Sequence, residues 1–342
     1  MAVGLYLALV AFALLSPLAP RVFWTMAMPI LPLGIVLFGV YRWRSTCPVA
    51  AIGHVGAKVA PARAHKRIPR WLRQHGMTVS MGVLVACLTL RHVATNGDHL
   101  ALGLFLIALP ILAISVNARF GGRSFCQYVC PVGVVERIYT DGAPPIATAE
   151  TAPSTCTSCS ACTKPCIDID RERSFDRTMD RASRRIATYA FPGIVFGFYA
   201  YYALREGSWE AYFGGAWTRY QVSLEHVVGH GFYFADVPAV VAALGVLLGL
   251  GALSYGVFAM IEARGPSRER VLAWAAFTAF ATFYFFAGAP SLRLVPALER
   301  SLAFVVPCVA TAVFLHRTHR HWAPPTSATT SAPRRRLPII ED

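Results

Sequence analysis

Charged residues are scarce in this chain of 342 residues, and their scarcity excludes most soluble folds. They make up 15% of the sequence, whereas an ordinary soluble domain carries about a quarter. A P-loop and a glycine-rich dinucleotide fingerprint are both lacking, so the usual signatures of nucleotide-dependent enzymes are missing. What is abundant is apolar sequence, at 55% hydrophobic residues. The composition therefore predicts an integral membrane protein.

The apolar residues are gathered into runs that predict an all-α polytopic membrane protein with about eight transmembrane helices. Each run has roughly 17–25 mostly apolar residues, enough to cross the hydrocarbon core of a bilayer. Four predicted spans lie within residues 1–118 and four within 186–316. The predicted spans are 3–19, 23–41, 77–95, 99–117, 186–205, 237–261, 270–288 and 297–315.

Acidic residues are absent from the connection 42–76, which has eight basic residues. The segment 119–185 and the low-complexity tail 317–342, which we predict to be disordered, are also rich in arginine. With eight spans these regions share one side, and the positive-inside rule makes that side cytoplasmic. We therefore expect a bacterial inner-membrane protein with both termini in the cytoplasm. The net charge of +14 reflects this topology, and its spread over separate loops argues against nucleic acid as a partner.

Seven of the nine cysteines lie in the two large loops assigned to the cytoplasm, 42–76 and 119–185. Cys87 and Cys308 instead fall inside predicted spans, where a thiol packs as a small apolar group. Because the cytoplasm keeps thiols reduced, the loop cysteines favour metal or redox chemistry over disulfides. The segment 119–185 is therefore predicted to be a small cytoplasmic iron–sulphur insertion.

The densest cysteine motif is CTSCSACTKPC. It contains Cys156, Cys159, Cys162 and Cys166. Three thiolates separated by two residues can wrap a single loop around a cubane cluster, and the fourth thiol often ligates a different cluster. Structural zinc more often uses two well-separated Cys-x2-Cys knuckles. The spacing therefore favours iron–sulphur, with zinc as the alternative.

Two further groups follow the second and fourth predicted spans. Cys126 and Cys130 form a Cys-x3-Cys-Pro motif, in which thiols four positions apart share one face of a helical turn. Cys47 repeats the Cys-Pro-Val of Cys130, but Trp43 stands where the first thiol would be. This pattern indicates duplicated two-helix units of which one has lost a ligand. A lone unliganded cysteine at position 47 is the alternative.

Together these motifs resemble the membrane-bound polyferredoxin family that includes the NapH-, NosR- and CcoG-type proteins. The resemblance covers roughly residues 20–170 and rests on FCQYVCPVG and CTSCSACTKPCIDID. It implies [4Fe–4S] clusters at cytoplasmic helix ends and electron transfer between the quinone pool and a partner redox protein. By this resemblance the cofactor ligands are Cys47, Cys126, Cys130, Cys156, Cys159, Cys162 and Cys166. Seven thiols are one short of the eight that two cubanes require, so one cluster and two clusters are both open.

The expected role is that of an electron-transfer subunit rather than a stand-alone enzyme, because the chemistry would belong to the cofactor. A zinc-stapled membrane assembly factor or regulator without a redox role is the alternative.

Aromatic residues are concentrated in the outer loop 206–236, where Trp209, Tyr212, Trp217 and Tyr220 are expected at headgroup depth. Arg91 and His92 close the third span and are expected to reach the same interface. A quinol-proton site built from them together with Glu299 and Arg300 is the competing interpretation.

Overall fold

The computed structural model describes residues 2–59, 65–141, 167, 171–215, 217, 227–292 and 299–318. The cysteines of the ferredoxin-type motif, Cys156, Cys159, Cys162 and Cys166, lie outside these residues, as does the tail from 319 onward. Within the described ranges the secondary structure is helical, and the β pairing found there is a single bridge between His230 and Pro238. The predicted all-α class is confirmed for this part of the chain.

Fourteen α-helices are described, and two π-helical segments, Phe23–Ala27 and Arg91–Thr95, join α2 to α3 and extend α5. The α-helices are α1 (Ala2–Leu15), α2 (Ala19–Val22), α3 (Met28–Thr46), α4 (Pro48–Val59), α5 (Arg70–Leu90), α6 (His99–Phe120), α7 (Ser124–Tyr128), α8 (Pro131–Thr140), α9 (Arg171–Met179), α10 (Ala182–Glu206), α11 (Glu210–Phe213), α12 (Ala239–Ala263), α13 (Arg268–Leu292) and α14 (Glu299–Thr318).

Five described segments are long and apolar enough to cross a membrane: Ala19–Val40, Arg70–Thr95, His99–Phe120, Ala239–Ala263 and Arg268–Ala287. Large apolar side chains on these helices are exposed on the surface of the protein. Water would disfavour such a surface, whereas lipid accommodates it. Together these features define a multi-pass α-helical membrane protein.

The three other predicted spans coincide with helices that do not meet the same criterion. α1 is apolar but has only 14 residues. The apolar part described for α14 is Val305–Thr318, which is also short. α10 has 25 residues but is not among the five segments above. The number of spans therefore stays a prediction.

α10 is the central helix of the fold and packs against α5, α12 and α13. Most of its side chains are buried, among them those of Tyr189, Phe198 and Tyr201. The hydroxyl of Tyr201 donates a hydrogen bond to the carbonyl of Ala239 at 3.0 Å. Because protein surrounds α10 and supplies partners for its polar groups, it needs less apolar surface than a lipid-facing helix.

The basic connection 42–76 is not the open loop that the sequence suggested. α3 continues to Thr46, α4 fills much of the interval, and α5 begins at Arg70. α4 lies tightly along α6, since a Cβ added to Gly56 would be 2.2 Å from the carbonyl oxygen of Ile114. The segment 119–185 likewise contains α7, α8 and α9. Both predicted loops are thus partly helical. The sequence prediction missed these helices because it searched for apolar runs long enough to cross a bilayer, and they have only 5–12 residues.

Candidate functional site

Cys47 occupies the corner between α3 and α4. Its φ and ψ are −63° and 120°, the extended conformation that the residue before a proline favours. Pro48 then starts α4, at a position where its missing N–H breaks no helical hydrogen bond. The Cys-Pro pair therefore ends one helix and starts the next, with the thiol at the turn.

The turn at Cys130 has nearly the same backbone conformation, with φ −59° and ψ 124°, and Pro131 starts α8. Upstream, Gly121 ends α6 with φ 73° and ψ 171°. Gly39 interrupts α3 with φ 73° and ψ 168°. A side chain would strain this positive-φ conformation, so glycine is required at both places. Glycine kink, Cys-Pro turn and short helix thus occur twice in the same order, as the predicted duplication requires.

Cys126 is carried by α7, a short helix folded against the end of α6. The backbone N–H of Phe125 donates a hydrogen bond to the Asn117 side-chain oxygen at 2.9 Å, which fastens α7 to α6. A Cβ added to Gly133 would lie 2.5 Å from the carbonyl oxygen of Cys126. The glycine of the Cys-Pro-Val-Gly sequence therefore lets α8 start directly against the residue that bears the first thiol.

The two cysteine turns meet because the repeated units exchange their short helices. α4, which follows α3, packs on α6, whereas α8, which follows the turn after α6, packs on α3. This exchange brings Cys47 into the same apolar cluster as Cys126 and Cys130, although Cys47 lies a helix pair earlier in the sequence. Ala50, Ala113 and Phe125 form the rest of the buried surface around them.

The three thiols affect one another electrostatically. Burial raises the pKa of the Cys130 thiol well above its ordinary value, and the neighbouring Cys126 and Cys47 raise it further. Burial is also the main cause of the raised pKa of Cys47. Such thiols release protons when a metal binds, because the thiolate is the ligand. No disulfide joins the cysteines that the structure describes.

The three thiols are neighbours without forming a complete ligand set. Within the described ranges, no three His, Cys, Asp or Glu side chains are arranged to hold a metal ion. A structural zinc ion requires four ligands in a tetrahedron, with Zn–S distances of about 2.3 Å. A [4Fe–4S] cluster gives each iron its own thiolate, so its ligands are separated by the width of the cluster. Cys47, Cys126 and Cys130 supply ligands of the right kind for the second requirement, but they are one short in number.

A buried ion pair lies beside this cluster. Arg44 Nε is 2.6 Å from Glu136 Oε1, and both side chains are almost fully buried. Arg44 precedes Cys47 by one helical turn on α3, and Glu136 is on α8, so the pair links the two repeated units. The charges of both residues act on the pKa of Cys47, with Glu136 raising it and Arg44 lowering it. A group bound at the thiols would therefore lie close to both charges of the pair.

Ile167, the residue after Cys166 in the sequence, is described and buried, and it lines a cleft. Gln127 and Tyr128, which lie between the two thiols of the Cys-x3-Cys motif, line the same cleft. Ile167 itself therefore lies close to the turn that carries Cys126 and Cys130.

At the opposite end of the helices, His92 lies inside the protein, so the expectation that its side chain reaches the membrane interface is wrong. His92 is only 2% exposed and its ring centroid lies 4.4–4.7 Å from those of Phe198, Tyr201 and Tyr202. The Arg91 guanidinium lies 4.1 Å from the centroid of the Trp24 ring. The aromatic side chains of α10 therefore enclose His92 inside the protein.

Of the four residues in the quinol-proton interpretation, the structure describes the side chains of Arg91 and His92. Those of Glu299 and Arg300 lie outside the described part of the chain.

Two of the predicted headgroup aromatics are also interior. Tyr212 is 3% exposed and Trp217 is 2% exposed. The Tyr212 hydroxyl donates a hydrogen bond to the Phe286 carbonyl at 3.0 Å. Trp209, at 37% exposure, keeps a partly open surface, and Tyr220 lies outside the described residues. The described residues Tyr212 and Trp217 therefore pack inside the aromatic end of the bundle.

Sequence reasoning missed the Arg44–Glu136 pair. Arg44 was one of several basic residues that mark topology, and nothing local distinguishes it from Arg42. Its signal is positional, because it precedes the Cys-Pro turn by three residues. That position becomes informative only once α8 is known to pack on α3.

Comparisons of the chain with protein-family models, with curated proteins and with solved structures gave no match. The chemistry of the site is therefore argued from its own residues.

Proposed function

We propose that this membrane protein carries one or two [4Fe–4S] clusters and relays electrons between the quinone pool and a partner redox protein. The observation that supports the proposal best is the meeting of Cys47 with Cys126 and Cys130 through exchanged short helices. Small apolar packing alone would not require cysteine at three such positions. A soft, thiol-only donor set next to a ferredoxin-type motif favours iron–sulphur chemistry.

In this proposal Cys47, Cys126 and Cys130 supply three thiolates of one ligand set. The four cysteines of the ferredoxin-type motif, Cys156, Cys159, Cys162 and Cys166, supply the others. The bound cluster would provide one-electron chemistry. The protein would hold it among apolar side chains, which exclude water, and beside the buried Arg44–Glu136 pair.

The proposal also includes the finer topology. Eight spans would put both termini, the cysteine turns and the insertion on the cytoplasmic side of a bacterial inner membrane. A quinone would then approach from the lipid. The partner redox protein would meet the cytoplasmic face, where the segment around α9 has alternating acidic and basic residues. Mixed charge of this kind suits transient, electrostatically steered encounters.

The test is quantification of iron and acid-labile sulphide, with EPR spectra after reduction, on protein purified without oxygen. Cys156→Ser reports on the ferredoxin-type motif, and Cys126→Ser and Cys47→Ser report on the converging turns. Cys87→Ser and Cys308→Ser are the matched controls, because these cysteines lie on α5 and α14, away from the thiol cluster. We expect iron to fall in the first three variants and to stay at the wild-type level in the two controls.

Two results would contradict the proposal in different ways. Iron-free wild-type protein that holds zinc and lacks sulphide would replace it with the zinc-stapled regulator. Normal iron and unchanged EPR spectra in Cys47→Ser would restrict the ligands to the other six cysteines and return Cys47 to a packing role.

A further inference from the structure

The cleft lined by Ile167 is also basic. It opens between the first turns of α5 and α10, and α7, α8 and α9 complete its walls. Four arginines line it, and none of the described lining residues is acidic: Arg73, Arg137, Arg181 and Arg184. Four guanidinium groups around one cleft form an electropositive surface.

The arginines are held in place by the protein. Arg181 Nη1 donates to the carbonyl of Arg73 at 3.0 Å, so these two residues stay side by side. Arg137 Nη2 donates to the carbonyl of Gln127 at 2.9 Å. The cleft is thus a built feature whose basic side chains come from three separate helices and the residue that precedes α10.

One arginine is buried and incompletely paired. Arg184 is 4% exposed, pairs with Asp141, and donates from Nη2 to the Thr178 hydroxyl at 2.7 Å. Its Nε has no hydrogen-bond partner among the described residues. Burial and then the like charge of Arg137 lower the pKa of Arg184 to about 9. The guanidinium is thus paired with Asp141 through one nitrogen and keeps a buried N–H on Nε, which favours an anionic acceptor.

The position of the cleft, at the start of a membrane-crossing segment, indicates which kind of anion it binds. Arg73 is in the first turn of a membrane-crossing segment that begins at Arg70. Trp71 in the same turn is 58% exposed, as expected of an aromatic side chain at the headgroup level. Gly76 and Met77, one turn further into the same segment, also line the cleft. The arginines therefore lie at the level where phospholipid phosphate groups are found, next to apolar residues of the segment.

We infer that this arginine cleft binds the phosphate group of an anionic phospholipid. Basic pockets between membrane helices commonly hold such headgroups, and guanidinium groups can bind phosphate oxygens in pairs. The inference does not depend on the iron–sulphur proposal, because it uses only arginines and the helix ends around them.

The experiment measures binding of short-chain phosphatidylglycerol to the full-length protein in neutral detergent. The test variant is the double substitution Arg73→Gln/Arg181→Gln, which leaves the Arg184–Asp141 pair intact. Arg264→Gln is the matched control, since Arg264 is an exposed arginine after α12 that does not line the cleft. Each basic residue near an anionic headgroup strengthens binding about fivefold. We therefore expect the double variant to bind about thirtyfold more weakly and the control to bind like wild type.

Parallel titrations with phosphatidylcholine and with inorganic phosphate separate the possible ligands. Clearly weaker binding of both probes than of phosphatidylglycerol supports the inference. Equal binding of phosphatidylcholine, or equal weakening in Arg264→Gln, would overturn the cleft as the site. Inorganic phosphate that binds as tightly as phosphatidylglycerol would overturn the assignment to a lipid. Thermal unfolding of each variant without lipid checks that the fold is unchanged.

Discussion

Replacing Gly56 with alanine tests the contact that positions Cys47. Gly56 is on α4, and a Cβ added to it would lie 2.2 Å from the Ile114 carbonyl oxygen and 2.9 Å from the carbonyl carbon, both on the backbone of α6. Ordinary van der Waals contact begins at 3.4 Å. A backbone cannot turn aside as a side chain can, so α4 and α6 must move apart by about 1 Å.

The expected cost follows from two opposing terms. Overpacking of this kind typically destabilises by about 1–3 kcal/mol. Replacing glycine with alanine inside a helix stabilises by about 1 kcal/mol. Gly82 on α5 isolates the second term, because no atom lies within 4 Å of its added Cβ. Gly82→Ala should therefore stabilise the protein, and Gly56→Ala should be about 1–3 kcal/mol less stable than Gly82→Ala.

The free energy of unfolding can be measured for both variants in mixed micelles by tryptophan fluorescence. Both substitutions gain the same helix propensity, so the difference between the two variants measures the cost of overpacking at Gly56. If Gly56→Ala proved as stable as Gly82→Ala, α4 would not lie against α6 as described. The route by which Cys47 reaches the other thiols would then be lost. Iron content of Gly56→Ala is a second readout, expected to fall if Cys47 is a ligand.

Three further predictions concern buried polar contacts. Glu136→Gln should lower the free energy of unfolding by about 3–5 kcal/mol, because it leaves the Arg44 guanidinium buried without its carboxylate. The double variant Arg44→Met/Glu136→Leu should recover most of that stability in chemical unfolding. If it did not, the loss in Glu136→Gln would not come from the ion pair. Asn117→Ala should cost about 1–3 kcal/mol, since the buried N–H of Phe125 loses its acceptor, and Ser115→Ala, on the exposed face of the same helix, should change stability little. Tyr202→Phe should cost about 1 kcal/mol by removing the acceptor of the 2.6 Å hydrogen bond from the Asn96 amide, whereas Tyr233→Phe, at an exposed site, should be neutral.

The long helices could be predicted well from the sequence, because the length of an apolar run is a local property. The predicted spans 99–117 and 237–261 correspond to α6 and α12 within a few residues. α4 was missed, since its 12 residues are too few to be recognised as a membrane-crossing run. Its helix is supported by contact with α6, which no local pattern records.

The candidate site could likewise be predicted only in part from the sequence. The Cys-Pro turns and their repetition could be read from residue spacing, and proline and glycine chemistry explains why their backbones match. That Cys47 meets Cys126 and Cys130 required the exchange of α4 and α8 between units. The interior position of His92 likewise depends on aromatic residues of α10, about a hundred residues away in sequence.

By itself, then, the sequence determined the class of protein, the positions of its longest helices and the local shape of its cysteine turns. These depend on hydrophobic run length and on backbone preferences within a few residues. Only the tertiary structure decided which cysteines share a cluster, which arginine pairs with Glu136 and which arginines line one cleft. Those outcomes depend on how distant helices pack, and packing selects partners by shape and charge across the whole chain.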